Sequence, residues 1–140
     1  KTFRNAKRGT IARYDADTQM GQKKGDLMFT DFQLEGQWFA AMDGGTVHAF
    51  GFNEGVSLMV MCEDQKEIDY YWGKLSAVPE SEQCGWLKDK YGFSWQVVPT
   101  AMGELMSSSD PKKMARITQA FLQMKKFDIA KLKEAANSPE

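Results

Sequence analysis

Apolar positions along the chain change period several times, and each change predicts an element. Residues 7–14 (KRGTIARY) read as a strand, followed by a polar, glycine-containing loop over 15–25. Two apolar-aromatic runs, 27–34 (LMFTDFQL) and 37–42 (QWFAAM), are separated only by Glu35-Gly36. Two such residues ending in glycine predict a hairpin, because glycine accepts the positive φ of a tight turn. Residues 55–62 (GVSLMVMC) form the most apolar stretch and read as a central strand. After it, Asp64 with Glu67 three residues on predicts a capped helix. Ile68, Tyr71, Trp72 and Leu75 then fall at i, i+3, i+4 and i+7, the spacing of one buried helical face. A polar loop over 78–83 leads to strands over 84–88 (CGWLK) and 94–98 (SWQVV), joined by the turn Asp89-Lys90-Tyr91-Gly92.

The remainder reads as helical. Thr100 caps a short turn through Leu105, and Asp110-Pro111 opens a longer helix with the stripe Met114, Ile117, Phe121 and Met124. That stripe needs a surface to bury against, within the chain or between subunits. Asp128 caps a last helix carrying Ile129 and Leu132. The sequence begins at Lys1 without Met, and residues 1–5 read as the end of a helix, so a leading segment is expected before it. One echo organises the chain. Gly36 and Gly92 each precede a strand with an aromatic at the third residue on, Phe39 and Trp95. Two half-domains of β-α-β-β type explain it, the first lacking its opening strand. The expected division is module one over 1–45, a connector over 46–54, module two over 55–100 and a helical tail over 101–136, all within one domain spanning 1–140.

Composition narrows the function. The 140 residues are one domain's worth, and 18 basic against 19 acidic residues give a net charge of −1. That balance provides no drive toward phosphate backbones or anionic lipid, so neither nucleic acid nor a membrane is an expected partner. No apolar run approaches the length of a membrane span. Cys62 and Cys84 are too few for a disulfide framework and read as reduced thiols of a cytoplasmic protein. His48 is the one histidine, which excludes a multi-histidine metal site within one chain. It sits in the glycine-rich connector and reads as a solvated residue. Glu63, Asp64, Glu67 and Asp69 gather at a helix start, where they favour the helix dipole. Lys112, Lys113, Arg116, Lys125 and Lys126 read as a solvated helix face.

Alternation assigns the strand faces. With Leu58, Val60 and Cys62 under the helix, Ser57, Met59 and Met61 face away; with Trp95 and Val97 under it, Ser94, Gln96 and Val98 face away. The candidate ligand pocket is therefore Ser57, Met59, Met61, Trp86, Ser94 and Gln96. This face is apolar with neutral polar handles, and a neutral, partly aromatic molecule suits it. A face packed against another copy of the protein has the same composition.

The segment CGWLKDKYGFSWQVVPT (84–100) closely resembles the signature of the PhnB-like branch of the glyoxalase, bleomycin-resistance and dioxygenase (vicinal oxygen chelate) superfamily. So do CEDQ (62–65), LEGQ (34–37) with DGG (43–45), and LQMKKFDI (122–129). That branch often carries the label 3-demethylubiquinone 3-methyltransferase. The resemblance implies an α+β fold of two βαβββ modules, with curved sheets around a cavity, a C-terminal helical extension and a homodimer. The superfamily's enzymes place metal ligands on the first and last strands of their modules. Carried over, those positions are Ser57, Ala40 and Gln96, and the histidine of the common Asp-Pro-x-Gly-His turn is Phe93. Alanine cannot bind a metal, and serine and glutamine offer only neutral oxygens, so no metal and no cofactor are expected. No glycine-rich loop follows a first strand as S-adenosylmethionine binding usually requires. The expected function is a small-molecule-binding protein of unassigned activity. The alternatives are a metal-dependent glyoxalase- or dioxygenase-type enzyme, the labelled methyltransferase, and an interaction protein whose sheet face binds its partner subunit.

Overall fold

A computed structural model describes residues 2–138, which fall into two compact units divided between Gly51 and Phe52. The first unit is an antiparallel sheet of β1 (Lys7–Arg13), β2 (Leu27–Leu34) and β3 (Gln37–Met42), in that spatial order. Glu35 and Gly36 join β2 to β3 with φ of 46° and 88°, the doubly left-handed turn that matches strand twist. Glu35 is held in that disfavoured conformation by Asn5, whose backbone N–H and side-chain amide both donate to its carboxylate, at 3.2 and 2.7 Å. The same bonds hold the Glu35 carboxyl below its ordinary range. The register between β1 and β2 slips between Arg8 and Ile11. There the Asp31 carboxylate accepts the Thr10 N–H, and a Cβ on Gly9 would overlap that carboxylate. The helix end expected over 1–5 is not found in the described residues, which form a turn with Phe3 buried.

The second unit carries the helices. It contains β4 (Ser57–Cys62), α1 (Gln65–Leu75), a single 3₁₀ turn (Pro79–Ser81), β5 (Trp86–Lys88) and β6 (Ser94–Pro99). These give the β-α-β-β order expected of the second module. The sheet runs β4-β6-β5, with β4 parallel to β6 and β5 antiparallel to it. Parallel neighbours need a crossover, and α1 supplies it. The Asp64 carboxylate accepts the Glu67 N–H at 2.9 Å, while the Glu67 carboxylate accepts the Glu63 N–H, also at 2.9 Å. Ile68, Tyr71 and Leu75 are buried, and Trp72 is half-buried rather than a core residue. Beneath α1 lie Cys62, Leu87, Trp95 and Val97.

Two boundaries differ from expectation. The strand expected over 84–88 starts only at Trp86, because Cys84 and Gly85 are both left-handed, with φ of 50° and 81°. Their N–H groups donate to the Met124 and Lys125 carbonyls, at 2.8 and 2.7 Å, instead of to a neighbouring strand. Thr100 is itself helical and makes no side-chain cap to α2 (Ala101–Leu105). Asp110 and Asp128 do cap α3 (Pro111–Leu122) and α4 (Ile129–Asn137), through Lys112 N–H at 2.9 Å and Lys131 N–H at 3.1 Å. The α3 stripe finds its surface within the chain. Ile117 is fully buried where α3 packs on α4, and Phe121 meets Phe127 edge to face at 6.5 Å. No helix among the described residues is long and apolar enough to cross a membrane.

Candidate functional site

Strand register in the second unit decides which side chains share a face. Ser57 lies opposite Ser94, Met59 opposite Gln96 and Met61 opposite Val98, while Trp86 lies opposite Gln96 and Lys88 opposite Ser94. Alternation therefore puts all six pocket candidates on the sheet face away from α1. Their environments differ. Met59 and Met61 are 54% and 49% exposed, so the second unit leaves this part of its face uncovered. The polar handles Ser57 and Gln96 are tied to each other, with Gln96 Nε2 donating to Ser57 Oγ at 2.9 Å. Ser94 is only 1% exposed, and its hydroxyl has no hydrogen-bond partner among the described residues.

A cleft of about 380 Å³ brings together two of the six, Trp86 and Ser94, with Cys84, Leu87, Lys88 and Glu54. Ser57, Met59, Met61 and Gln96 lie outside its lining. Lys88 is a residue that the sequence reading passed over, having treated the face as free of charge. The signal was available, since Lys88 stands two residues after Trp86 on a strand and must share its face. Its ammonium pairs with the Glu54 carboxylate, and that bond holds the Glu54 carboxyl below its ordinary range.

The other candidates have structural partners. His48 stacks on Phe50 with ring centroids 4.8 Å apart. Asp69 pairs with Lys126 at 2.6 Å, and the Lys126 ammonium, with Gln65 behind it, draws its carboxyl below the ordinary range. Lys125 reaches Glu82 at 3.8 Å, and Arg116 Nε donates to the Ala135 carbonyl at 3.2 Å. The Cys62 thiol is fully buried. Burial first, and then the Glu67 and Asp64 charges, push it up to about 12, so it is a neutral core group at physiological pH. Asp89 accepts the Tyr91 and Phe93 N–H groups at 2.8 and 3.1 Å and the Trp95 indole N–H at 2.9 Å. Phe93, in the place of a histidine, packs edge-on against Phe52 and Trp95, at 5.2 and 5.5 Å. That turn is built for packing.

The positions at which the resemblance implies metal ligands do not fit a transition metal. Ala40 lies on β3 opposite Asp31 and has no donor atom, and Ser57 and Gln96 are neutral groups already bonded to each other. Among the described residues, no group of three or more His, Cys, Asp and Glu side chains is placed to hold a metal ion.

Residues 1–98 match the family model described as 3-demethylubiquinone-9 3-methyltransferase. Among solved structures, a PhnB protein from Bacillus cereus, whose 3-demethylubiquinone-9 3-methyltransferase name is itself provisional, is 36% identical to this chain. The match covers 71% of this chain and 83% of that one, with a TM-score of 0.58. A protein from Staphylococcus aureus is 23% identical over 68% of this chain and 74% of its own, with a TM-score of 0.24, too low to support any inference. No protein of curated function matches this chain.

Proposed function

We propose a function from one premise: this chain belongs to the 3-demethylubiquinone-9 3-methyltransferase family, PhnB-like proteins of mixed α+β fold. Within it, the chain acts as a small-molecule-binding protein of the vicinal oxygen chelate superfamily, without a metal centre. Its site is the helix-free face of the β4-β6-β5 sheet. The observation that carries this reading is the uncovered state of that face. Met59 and Met61 stand half exposed beside the Ser57–Gln96 pair, a polarizable apolar surface with one neutral polar handle. The relatives' methyltransferase name adds no residue to this face. Gln96→Leu removes the handle at a half-buried position, so it should weaken binding of planar aromatic compounds by about tenfold, the loss of one to two hydrogen bonds. Thermal stability should stay within about 0.5 kcal/mol of the parent. Calorimetric titration reads the first and thermal unfolding the second, and EDTA should leave the affinity unchanged. A full parental affinity in the variant contradicts the placement of the site.

The same reading makes the chain a homodimer. Its support is the exposed apolar surface of the first unit's sheet, including Trp38 and Met42. The tail adds Leu122, while of its stripe Ile117 is buried and Met114, Phe121 and Met124 are half-buried. Light scattering at micromolar concentration should give twice the chain mass, and a strict monomer rejects the dimer while leaving the fold intact.

A further inference from the structure

We infer that the cleft beside β5 takes a planar aromatic monoanion such as an aryl carboxylate, its oxygens held by the Lys88 ammonium and Ser94 hydroxyl, its ring against the Trp86 indole. This rests on the open-face reading above and narrows it to one ligand class at one end of the face.

The chemistry of the lining leads there. Lys88 and Ser94 are register partners on β5 and β6, and both line the cleft. Both can donate a hydrogen bond, so the group that satisfies them together is an acceptor, and the ammonium favours an anionic one. The Ser94 hydroxyl, 1% exposed and without a partner among the described residues, is a buried donor whose desolvation is uncompensated. Lys88 is only 24% exposed and so requires an anion beside it. Its present anion is removable. Glu54 is 61% exposed and precedes β4 in a turn in which Gly55 N–H donates to the Asn53 side chain, outside any strand. A ligand oxyanion that takes the place of Glu54 leaves Lys88 paired and gives Ser94 its acceptor. The exchange replaces one partner of Lys88 by another and returns the Glu54 carboxylate to solvent. Ser81 and Gln83 also line the cleft but already donate to the Val78 and Leu122 carbonyls, at 2.8 Å each, and with no arginine in the lining the remaining ammonium and hydroxyl are too few donors for a dianion such as a phosphate monoester. The Trp86 indole in the lining offers an apolar, planar surface, which suits an aromatic ring. At about 380 Å³ the cleft lies within the ordinary range for small-molecule sites.

The probe pair is 1-naphthoate and its neutral isostere 1-naphthamide, titrated calorimetrically into the full chain and into Glu54→Gln, Lys88→Met and Ser94→Ala. Naphthoate should bind about tenfold or more tightly than the amide, the margin of one charge-assisted hydrogen bond. Glu54→Gln, at an exposed position that the fold does not depend on, should tighten naphthoate by about threefold through loss of a competing anion and leave the amide unchanged. Lys88→Met should abolish the preference for the acid, and Ser94→Ala should weaken the acid more than the amide. Equal affinity for acid and amide in the parent and in Glu54→Gln overturns the inference, as does a preference that survives Lys88→Met. If both compounds bind equally and Gln96→Leu weakens both, the oxyanion claim fails and the open-face reading stands. If neither binds the parent or Glu54→Gln, the inference fails, and neutral fragments tested at Met59 and Met61 decide the broader reading separately.

Discussion

Ile68→Ala will destabilise the protein by about 2–5 kcal/mol, whereas Met59→Ala will change its stability by no more than about 0.5 kcal/mol. The two residues lie on opposite sides of one sheet. Ile68 is fully buried between α1 and the strands, so its truncation leaves a cavity in a layer that also holds Cys62, Leu87 and Val97. Met59 is 54% exposed, and its truncation leaves none. Urea unfolding reads the contrast directly, with the midpoint shifting and the slope unchanged for Ile68→Ala. Equal losses for the two variants would mean that the second face is packed like the first, and the open-face reading would fall.

Gly85→Ala will cost about 2–5 kcal/mol, the sum of forcing a non-glycine residue into the left-handed region and overpacking its neighbours. Gly85 holds φ of 81°, and a Cβ there would overlap the Phe127 ring and stand 3.0 Å from the Val97 carbonyl oxygen. Gly36→Ala isolates the backbone contribution, because Gly36 has φ of 88° with open space around it, and should cost only about 1–2 kcal/mol. Thermal unfolding of the pair checks both numbers. A Gly85 variant no worse than the Gly36 variant would show that the tail, through Phe127, is not held against this turn.

Gly85 also marks where local sequence signals stop being sufficient. The hairpin between β2 and β3 was legible because Glu35-Gly36 leaves the chain one short route back, and both strands have the expected bounds. The start of β5 was not, because Cys84 is left-handed only by virtue of carbonyls offered from residues 124 and 125, about forty positions away. Alternation puts the six candidate residues on one face, a property local to each strand. It could not say that Gln96 and Ser57 would bond to each other, which depends on β4 and β6 pairing in parallel through the α1 crossover. Nor could it foresee that Ser94 would be buried at the inner wall of a cleft while Met59, on the same face, stayed open. Lys88 was legible and was missed. Counting charges along β5 by the same alternation would have found it and, with it, the charged end of the face.

The central claim, that the helix-free face of the second sheet receives a small planar molecule, is tested most directly by methyl NMR of methionine-labelled protein titrated with a panel of neutral and anionic aromatic fragments. The account predicts saturable shifts of the Met59 and Met61 methyl signals and of the Trp86 indole N–H, with the other methionines unmoved, and weaker binding in Gln96→Leu. Saturable shifts confined to other methionines, or none at all across the panel, would contradict it.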